Sequence, residues 1–128
     1  MSDREAALAA LYQSIKHRTT MTMDEFAHGI ARFELNPIKD AGEVIGAVMI
    51  AENEIHVGLC RRPRTCHRGD LRRLLGALIA RYGCARTAVR ADNPAGLSFC
   101  KRLGFEEVHR DEVGVYLRCK GGPLYGHG

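Results

Sequence analysis

The sequence has little of what several specialised classes of protein require. It contains no apolar run long enough to cross a membrane, and only 6% of its 128 residues are aromatic. Its five cysteines are odd in number and lack the spacing of a disulfide framework. The first residues lack the apolar stretch of a secretory signal, so we expect a reducing, cytoplasmic location. With 45% hydrophobic and 27% charged residues, the composition predicts one globular domain over residues 1–120 and a flexible Gly-rich tail over 121–128.

The positive charge is concentrated in residues 61–90. This stretch holds nine arginines and one acid, Asp70, so it carries +8, whereas the other residues together carry −4. Such a concentration indicates an anionic partner, either a phosphate-bearing cofactor or a nucleic acid. A nucleic acid is the less favoured partner because Tyr82 is the only aromatic residue in the stretch, and single strands bind on stacked aromatic side chains.

Capping patterns and a change of hydrophobic period predict the first elements of the chain. Ser2 with Glu5, and Thr22 with Glu25, fit the capping box that begins helices. After the second helix, apolar and polar residues alternate over 31–36, which predicts a strand with one buried face.

The middle of the chain predicts further strands and a crossover. A turn at residues 40–42 precedes apolar strands at 44–50 and 54–60, which together form an antiparallel meander. A basic loop then leads into a helix over 69–82, followed by a strand at 87–89. Strand, helix and strand at this length predict a crossover between parallel strands.

The last third of the chain predicts a helix and a hairpin. Asn93 followed by Pro94 is typical of a helix N-terminus, and Leu103 with Gly104 would end that helix. Residues 105–119 then form a closing hairpin around an acidic turn. The order α-α-β-β-β-α-β-α-β-β is an α+β fold with a mixed, mostly antiparallel sheet flanked by helices.

Two segments of this order resemble the GCN5-related N-acetyltransferase (GNAT) superfamily. The strand end Leu59-Cys60-Arg61-Arg62-Pro63, the loop to Gly69 and the Leu74-Leu75 helix look like the family's acetyl-CoA segment. Asn93, then Cys100, then Leu103-Gly104-Phe105 resemble its Asn…Tyr…Leu-Gly-Phe segment. The resemblance spans roughly residues 42–119 and implies the acyl-CoA N-acyltransferase fold.

The resemblance also implies acetyl-CoA as co-substrate. Free N–H groups and the dipole at a helix N-terminus suit the pyrophosphate of coenzyme A, and nearby arginines add charge. The family's pantetheine arm pairs with the end of the preceding strand and contacts the capping asparagine. The residues implied to bind the cofactor are Leu59, Cys60, Arg61, Cys66, His67, Arg68, Gly69, Asp70, Leu71, Arg72 and Asn93.

Three positions depart from the family's pattern. The Arg/Gln of the cofactor turn falls on Cys66, and a small residue of that turn falls on Leu71. The tyrosine that protonates the departing thiolate falls on Cys100. A thiol near its normal pKa of about 8.5 is still able to donate a proton, and Tyr116 is an alternative acid.

By resemblance, the activity is transfer of an acetyl group from acetyl-CoA to an amine or protein acceptor, by direct attack in a ternary complex. On the strand that matches the family's base-carrying strand, His56 and Glu54 share a face and are the candidate bases. Backbone N–H groups of the strand ending at Arg61 would polarise the thioester carbonyl. A homodimer is a further expectation because dimers are frequent in the family.

Other functions stay open on the sequence alone. No metal is expected, because Cys60, Cys66 and His67 have no second Cys-x2-Cys pair to complete a zinc site. One alternative is a catalytically inactive protein of the same fold with a structural or protein-binding role. It would resemble acetyltransferase-like proteins of tailed phages, some of which lie inside the virion. Nucleic-acid binding through residues 61–90 is the lesser alternative.

Overall fold

The computed structural model describes residues 2–64 and 68–121, without the side chain of Arg68. The predicted order of helices and strands is confirmed, with a short 3-10 turn at Lys16–Arg18 after the first helix. The helices are α1 Asp3–Ile15, α2 Met23–Gly29, α3 Arg68–Tyr82 and α4 Pro94–Arg102. The strands are β1 Glu34–Asp40, β2 Glu43–Ala51, β3 Glu54–Leu59, β4 Ala85–Arg90, β5 Glu106–Arg110 and β6 Gly114–Cys119. Residues 122–128, the rest of the expected tail, lie outside the described residues.

The six strands form one open sheet in the order β1-β2-β3-β4-β6-β5. β1 pairs with β2 in antiparallel fashion, and β6 pairs antiparallel with both β4 and β5. β3 and β4 are parallel and pair at Glu54 and Arg86. The mixed, mostly antiparallel α+β sheet predicted from the sequence is therefore confirmed, as is the parallel crossover through α3.

The chain divides into two compact units, and the first comprises residues up to Ala51 together with those from His56 to the segment after β3. Both predicted capping boxes are present. Ser2 Oγ accepts a hydrogen bond from the N–H of Glu5 at 3.1 Å, and Thr22 Oγ1 accepts one from that of Glu25 at 3.1 Å. Beyond these exposed caps, the two helices contribute Ala7, Leu11 and Phe26 to a core that also contains Ala47 of β2.

The boundary of β1 differs from the prediction. The strand expected over 31–36 begins at Glu34 and continues to Asp40, because the chain first turns after α2, where the N–H of Phe33 donates to the carbonyl of Ile30 at 3.0 Å. Pro37 is tolerated within β1 because the strand lies at the edge of the sheet. The predicted turn follows, with Ala41 and Gly42 both in the left-handed region, at φ 53° and 81°, as a tight two-residue hairpin requires.

The second unit comprises Glu52–Ile55 and the chain from Arg68 onward. Its helix α4 ends in a hydrogen-bonded cap, in which Gly104 has φ 102° and donates to the carbonyl of Lys101 at 3.0 Å. The N–H of Phe105 donates to the carbonyl of Cys100 at 3.1 Å, which completes a Schellman motif. Leu103 and Phe105 are both buried. The Leu-Gly-Phe sequence is therefore a helix stop whose two apolar residues anchor it in the core.

Candidate active site

The end of β3 lies in the first unit and carries three of the predicted cofactor residues. Leu59, Cys60 and Arg61 are all half-buried. The N–H of Cys60 donates to the carbonyl of Ile45 at 2.8 Å, so this group takes part in joining β2 and β3. The strand ends at Leu59, earlier than the sequence predicted, and Cys60 and Arg61 lie in a bend beyond it.

A buried carboxylate that the sequence did not single out holds the segment after β3. Asp40 is 1% exposed and accepts a hydrogen bond from Arg61 Nη1 at 2.8 Å and from the N–H of Arg64 at 3.0 Å. Glu43 Oε1 lies 3.5 Å from Arg61 Nε. The hydrogen bond that Arg61 donates to Asp40 raises the pKa of Arg61, so the guanidinium is held in its charged form. The side chain of Arg61 is thus engaged by carboxylates of the β1–β2 hairpin.

His56, the first candidate base, packs against an aromatic ring. Its imidazole lies edge-on to Phe33, with ring centroids 5.7 Å apart and an interplanar angle of 77°. The Cζ atom of Arg32 lies 4.2 Å from the centroid of the same Phe33 ring. His56 is half-buried in this cluster, which restrains the orientation of its ring.

Glu54, the second candidate base, belongs to the second unit and is paired with a cation. Its Oε1 lies 3.6 Å from Arg86 Nη2, and its side chain is 18% exposed. Asn53, which precedes β3, accepts two hydrogen bonds from Arg86. Its Oδ1 accepts from Arg86 Nε at 3.0 Å, and its backbone carbonyl accepts from the N–H of Arg86 at 2.8 Å. Glu54 therefore lies in a polar cluster that joins the beginnings of β3 and β4.

The N-terminus of α3 carries the predicted cofactor turn. Cys66 and His67 lie outside the described residues, and Arg68 begins the helix. A β-carbon on Gly69 would meet nothing within 4 Å among the described residues. Leu71, which replaces a small residue of the family's turn, is buried in the core, so its side chain is directed away from solvent.

Asp70 and Arg72, in the first turns of α3, differ in whether their polar groups have partners. Asp70 forms an ion pair with Arg73, three residues further along the helix. The Nε of Arg72 is buried and has no hydrogen-bond partner among the residues that the structure describes. An unsatisfied guanidinium donor costs free energy, which a hydrogen-bond acceptor would recover.

Asn93 caps α4 as the sequence predicts. Its Oδ1 accepts from the N–H of Gly96 at 3.0 Å, and Pro94 occupies the first helical position. The cap is tight, because a β-carbon on Gly96 would lie 2.6 Å from Asn93 Nδ2. Within the described part of the chain, this Nδ2 makes no hydrogen bond, so the exposed amide retains two donors.

Cys100 lies two turns along α4 from the Asn93 cap. The thiol is half-buried, and this burial raises its pKa. At neutral pH it is therefore a protonated thiol, which suits a proton donor better than a nucleophile.

Tyr116, the alternative acid, belongs to a small cluster on the β5–β6 hairpin. Its ring stacks on His109 with centroids 5.5 Å apart. The negative charge of Asp111 raises the pKa of Tyr116. The N–H groups of Gly114 and Val113, each 2.9 Å from Asp111 Oδ1, lower the pKa of that carboxyl. The sequence indicated Asp111 only as a turn residue.

Within residues 2–64 and 68–121, no three or more His, Cys, Asp or Glu side chains come together as metal ligands. No helix in the same residues has the length and apolarity that crossing a bilayer requires.

Solved structures that share this fold include proteins named as acetyltransferases. Spermidine N-acetyltransferase SpeG from Vibrio cholerae superposes with a TM-score of 0.68 at 12% identity, over 94% of this chain and 92% of that one. A protein from Bordetella pertussis described as a GnaT-family acetyltransferase gives 0.66 at 18% identity, over 90% and 88%. PaiA N-acetyltransferase from Thermoplasma acidophilum, in complex with coenzyme A, gives 0.63 at 14% identity, over 94% and 96%.

No family model matches the chain, and no curated protein matches its sequence. The likeness therefore concerns three-dimensional structure. The fold is that of the GNAT acetyltransferases, as the two sequence segments predicted. At these identities the likeness defines the fold, and the activity has to be argued from the residues of this chain.

Proposed function

We propose that this protein transfers an acetyl group from acetyl-CoA to an amine by direct attack in a ternary complex. The observation that carries the proposal is the fold, which this chain shares with acetyltransferases over at least 88% of each chain. One of these acetyltransferases was solved in complex with coenzyme A. The residues of the cofactor segment are compatible with this ligand.

The α3 N-terminus supports binding of the coenzyme's phosphates. The first turn of this 15-residue helix has N–H groups with no partner inside the helix and lies at the positive end of the helix dipole. Among the described residues, the open space around Gly69 allows an anion to approach the backbone. Arg72 supplies a donor that has no partner among the described residues. Burial of Leu71 keeps its bulk away from the surface of the turn.

Asn93 and the end of β3 suit the pantetheine arm. The Oδ1 of Asn93 serves the α4 cap, and its two Nδ2 donors remain for a carbonyl oxygen of the arm. Backbone groups of residues 59–61 would pair with the amides of the arm in the manner of an added strand. In this arrangement Asn93 both begins the helix and orients the ligand.

The reaction moves two protons. The amine nitrogen attacks the thioester carbonyl, its proton passes to His56 or Glu54, directly or through water, and the carbon–sulfur bond breaks. The Cys100 thiol donates its proton to the departing thiolate and regains one from solvent. Its raised pKa keeps that proton in place before the reaction.

Calorimetric titration with acetyl-CoA tests the cofactor site, with dephospho-CoA as the ligand control. We expect micromolar binding that weakens without the 3′-phosphate. Arg72→Gln should weaken binding by about tenfold, or about 1.4 kcal/mol. Arg81→Gln, at the opposite end of the same helix, is the matched control and should leave affinity unchanged. No binding at millimolar acetyl-CoA would refute the proposal.

The acceptor is an amine whose identity requires a screen. We propose a panel of small amines, peptides with free amino termini, lysine peptides and spermidine, since one structural neighbour is named for spermidine. The measurement is release of free CoA thiol. Cys100→Ala should lower kcat with little change in the KM for acetyl-CoA, because the thiol acts only on the leaving group.

The second candidate is a non-catalytic protein of the same fold, with a structural or protein-binding role. The observation that favours it is that both candidate bases are engaged, Glu54 by Arg86 and His56 by the Phe33 ring. Coenzyme A binding without turnover across the whole panel would support this candidate. Sedimentation of the purified protein tests the expected homodimer in the same preparation.

A further inference from the structure

Asp40 is the one polar or charged side chain that is buried among the described residues, at 1% exposure. A buried carboxylate is costly unless hydrogen bonds and an opposite charge compensate for the lost water. Here a guanidinium donates to it at 2.8 Å and a backbone N–H donates at 3.0 Å. These donors come from Arg61 and Arg64, which follow β3, whereas Asp40 ends β1.

The two bonds restrain the segment Arg61–Arg64 in different ways. The bond to the N–H of Arg64 fixes the main chain itself. The Nη1 of Arg61 also donates to the carbonyl of Arg62 at 3.2 Å, so the guanidinium braces the backbone next to it. The segment is therefore tied to the β1–β2 hairpin by both side-chain and main-chain groups.

We infer that Asp40 is a positioning residue that fixes the segment Arg61–Arg64 for binding of the cofactor. The inference rests on the proposed function, in which residues 59–61 pair with the pantetheine arm and the chain beyond Arg64 leads to the α3 turn. Arg61 contributes by holding this segment in place, since its guanidinium is hydrogen-bonded to Asp40 and to the carbonyl of Arg62. An ordered segment binds ligand at a lower entropic cost than a mobile one.

Two substitutions of Asp40 separate its charge from its shape. Asp40→Asn retains an oxygen acceptor but removes the charge, and Asp40→Ala removes both. Glu43→Gln is the matched control, because Glu43 faces the same guanidinium at 3.5 Å but is 67% exposed. The first readout is amide hydrogen exchange at Arg64, and the second is the affinity for CoA with the KM and kcat for acetyl-CoA.

We expect faster exchange at Arg64 in Asp40→Asn and faster still in Asp40→Ala. The Kd and KM should rise about five- to tenfold with kcat nearly unchanged, whereas Glu43→Gln should stay within about twofold of the unchanged protein. A change confined to stability, with exchange at Arg64, Kd and KM all unchanged in folded Asp40→Asn, overturns the inference.

A double variant that removes both charges of the Asp40–Arg61 ion pair keeps the test valid if a single variant folds poorly. Arg61→Gln leaves the Asp40 carboxylate buried without its cation, and so it should lower the Tm. Adding Asp40→Asn removes that charge and should recover part of the lost Tm, which independent sites would not do. Additive losses would overturn the inference. If the unchanged protein binds no CoA, the proposed function fails, and accelerated exchange at Arg64 in Asp40→Asn still identifies Asp40 as the group that fixes the segment.

Discussion

A β-carbon on Gly46 would overlap the carbonyl oxygen of Gly58, so the backbones of β2 and β3 approach here as only glycine allows. Gly58 itself accommodates α1, because a β-carbon on it would lie 2.5 Å from Leu11 Cδ2. Two glycines with ordinary strand conformations are thus required by their neighbours, through different kinds of contact.

The two glycines should respond differently to substitution by alanine. Gly46→Ala meets backbone, which cannot rotate away, and we expect a loss of at least about 3 kcal/mol in the free energy of unfolding. Gly58→Ala meets the end of a flexible side chain, and about 1–2 kcal/mol is expected. Urea denaturation measures both. Gly29→Ala, with nothing within 4 Å, is the control, and equal losses at Gly46 and Gly58 would contradict the prediction.

Gly69→Ala should separate folding from cofactor binding. Alanine is favoured over glycine within a helix by up to about 1 kcal/mol, and the described surroundings leave room for the methyl group. We expect an unchanged or higher Tm together with weaker binding of acetyl-CoA, because the methyl group blocks close approach of a phosphate. Unaltered affinity in calorimetry would show that the ligand does not reach this turn.

Substitutions of Asn93 should distinguish its capping role from its ligand role. Asn93→Ala loses the bond to Gly96 and should cost about 1 kcal/mol of stability along with affinity for CoA. Asn93→Asp keeps the capping oxygen but has no amide donor, so we expect near-normal stability with weaker CoA binding. Thermal unfolding and titration of both variants provide the comparison. Full affinity in folded Asn93→Asp would remove the amide from the proposed site.

The thiol of Cys100 should titrate above the usual cysteine pKa of about 8.5, because burial raises its pKa. The corresponding contribution to stability is fully present below the pKa of the unfolded chain and is lost as the pH rises through the folded pKa. Alkylation of the Cys100 peptide, followed by mass spectrometry across pH, measures this directly. A midpoint at or below 8.5 would be inconsistent with a buried thiol, and Cys100→Ser identifies the signal.

The hydrogen bonds of the β5–β6 turn should be lost on acidification at a lower pH than the usual pKa of an aspartate. The hydrogen bonds from Gly114 and Val113 lower the pKa of Asp111, so its contribution is present above the unfolded pKa of about 3.9 and is lost as the pH falls through the folded pKa. Carboxyl NMR titration gives the value. Asp111→Ala should abolish this acid dependence, whereas Glu112→Gln, the adjacent acid, should preserve it.

Local signals in the sequence predicted most of the fold. Ser2, Thr22 and Asn93 begin helices through hydrogen bonds that span three residues, and Gly104 ends one through an equally local motif. Such contacts lie within one short window of sequence. The start of β1 was misplaced because the alternation over 31–36 does not distinguish a turn from an extended strand when Phe33 is buried in either case.

Long-range pairing in the candidate site could not be predicted in this way. Asp40 was assigned to a turn, where aspartate is common, and nothing nearby indicates a partner 21 residues further on. Arg61 was singled out for its charge, which a phosphate and a buried carboxylate satisfy equally well. Pairing of Glu54 with Arg86 likewise depends on the crossover that brings β4 beside β3.

The cap at Leu103-Gly104-Phe105 has a consequence for how distant members of this fold are sorted. The three residues stop a helix and fill a core, tasks that a protein must perform whether or not it turns over substrate. Their presence is consequently evidence of architecture and carries no information about chemistry. Under the proposed function the chemistry depends instead on Asn93 and Cys100, and these are the positions at which catalytic and inactive members would be distinguished.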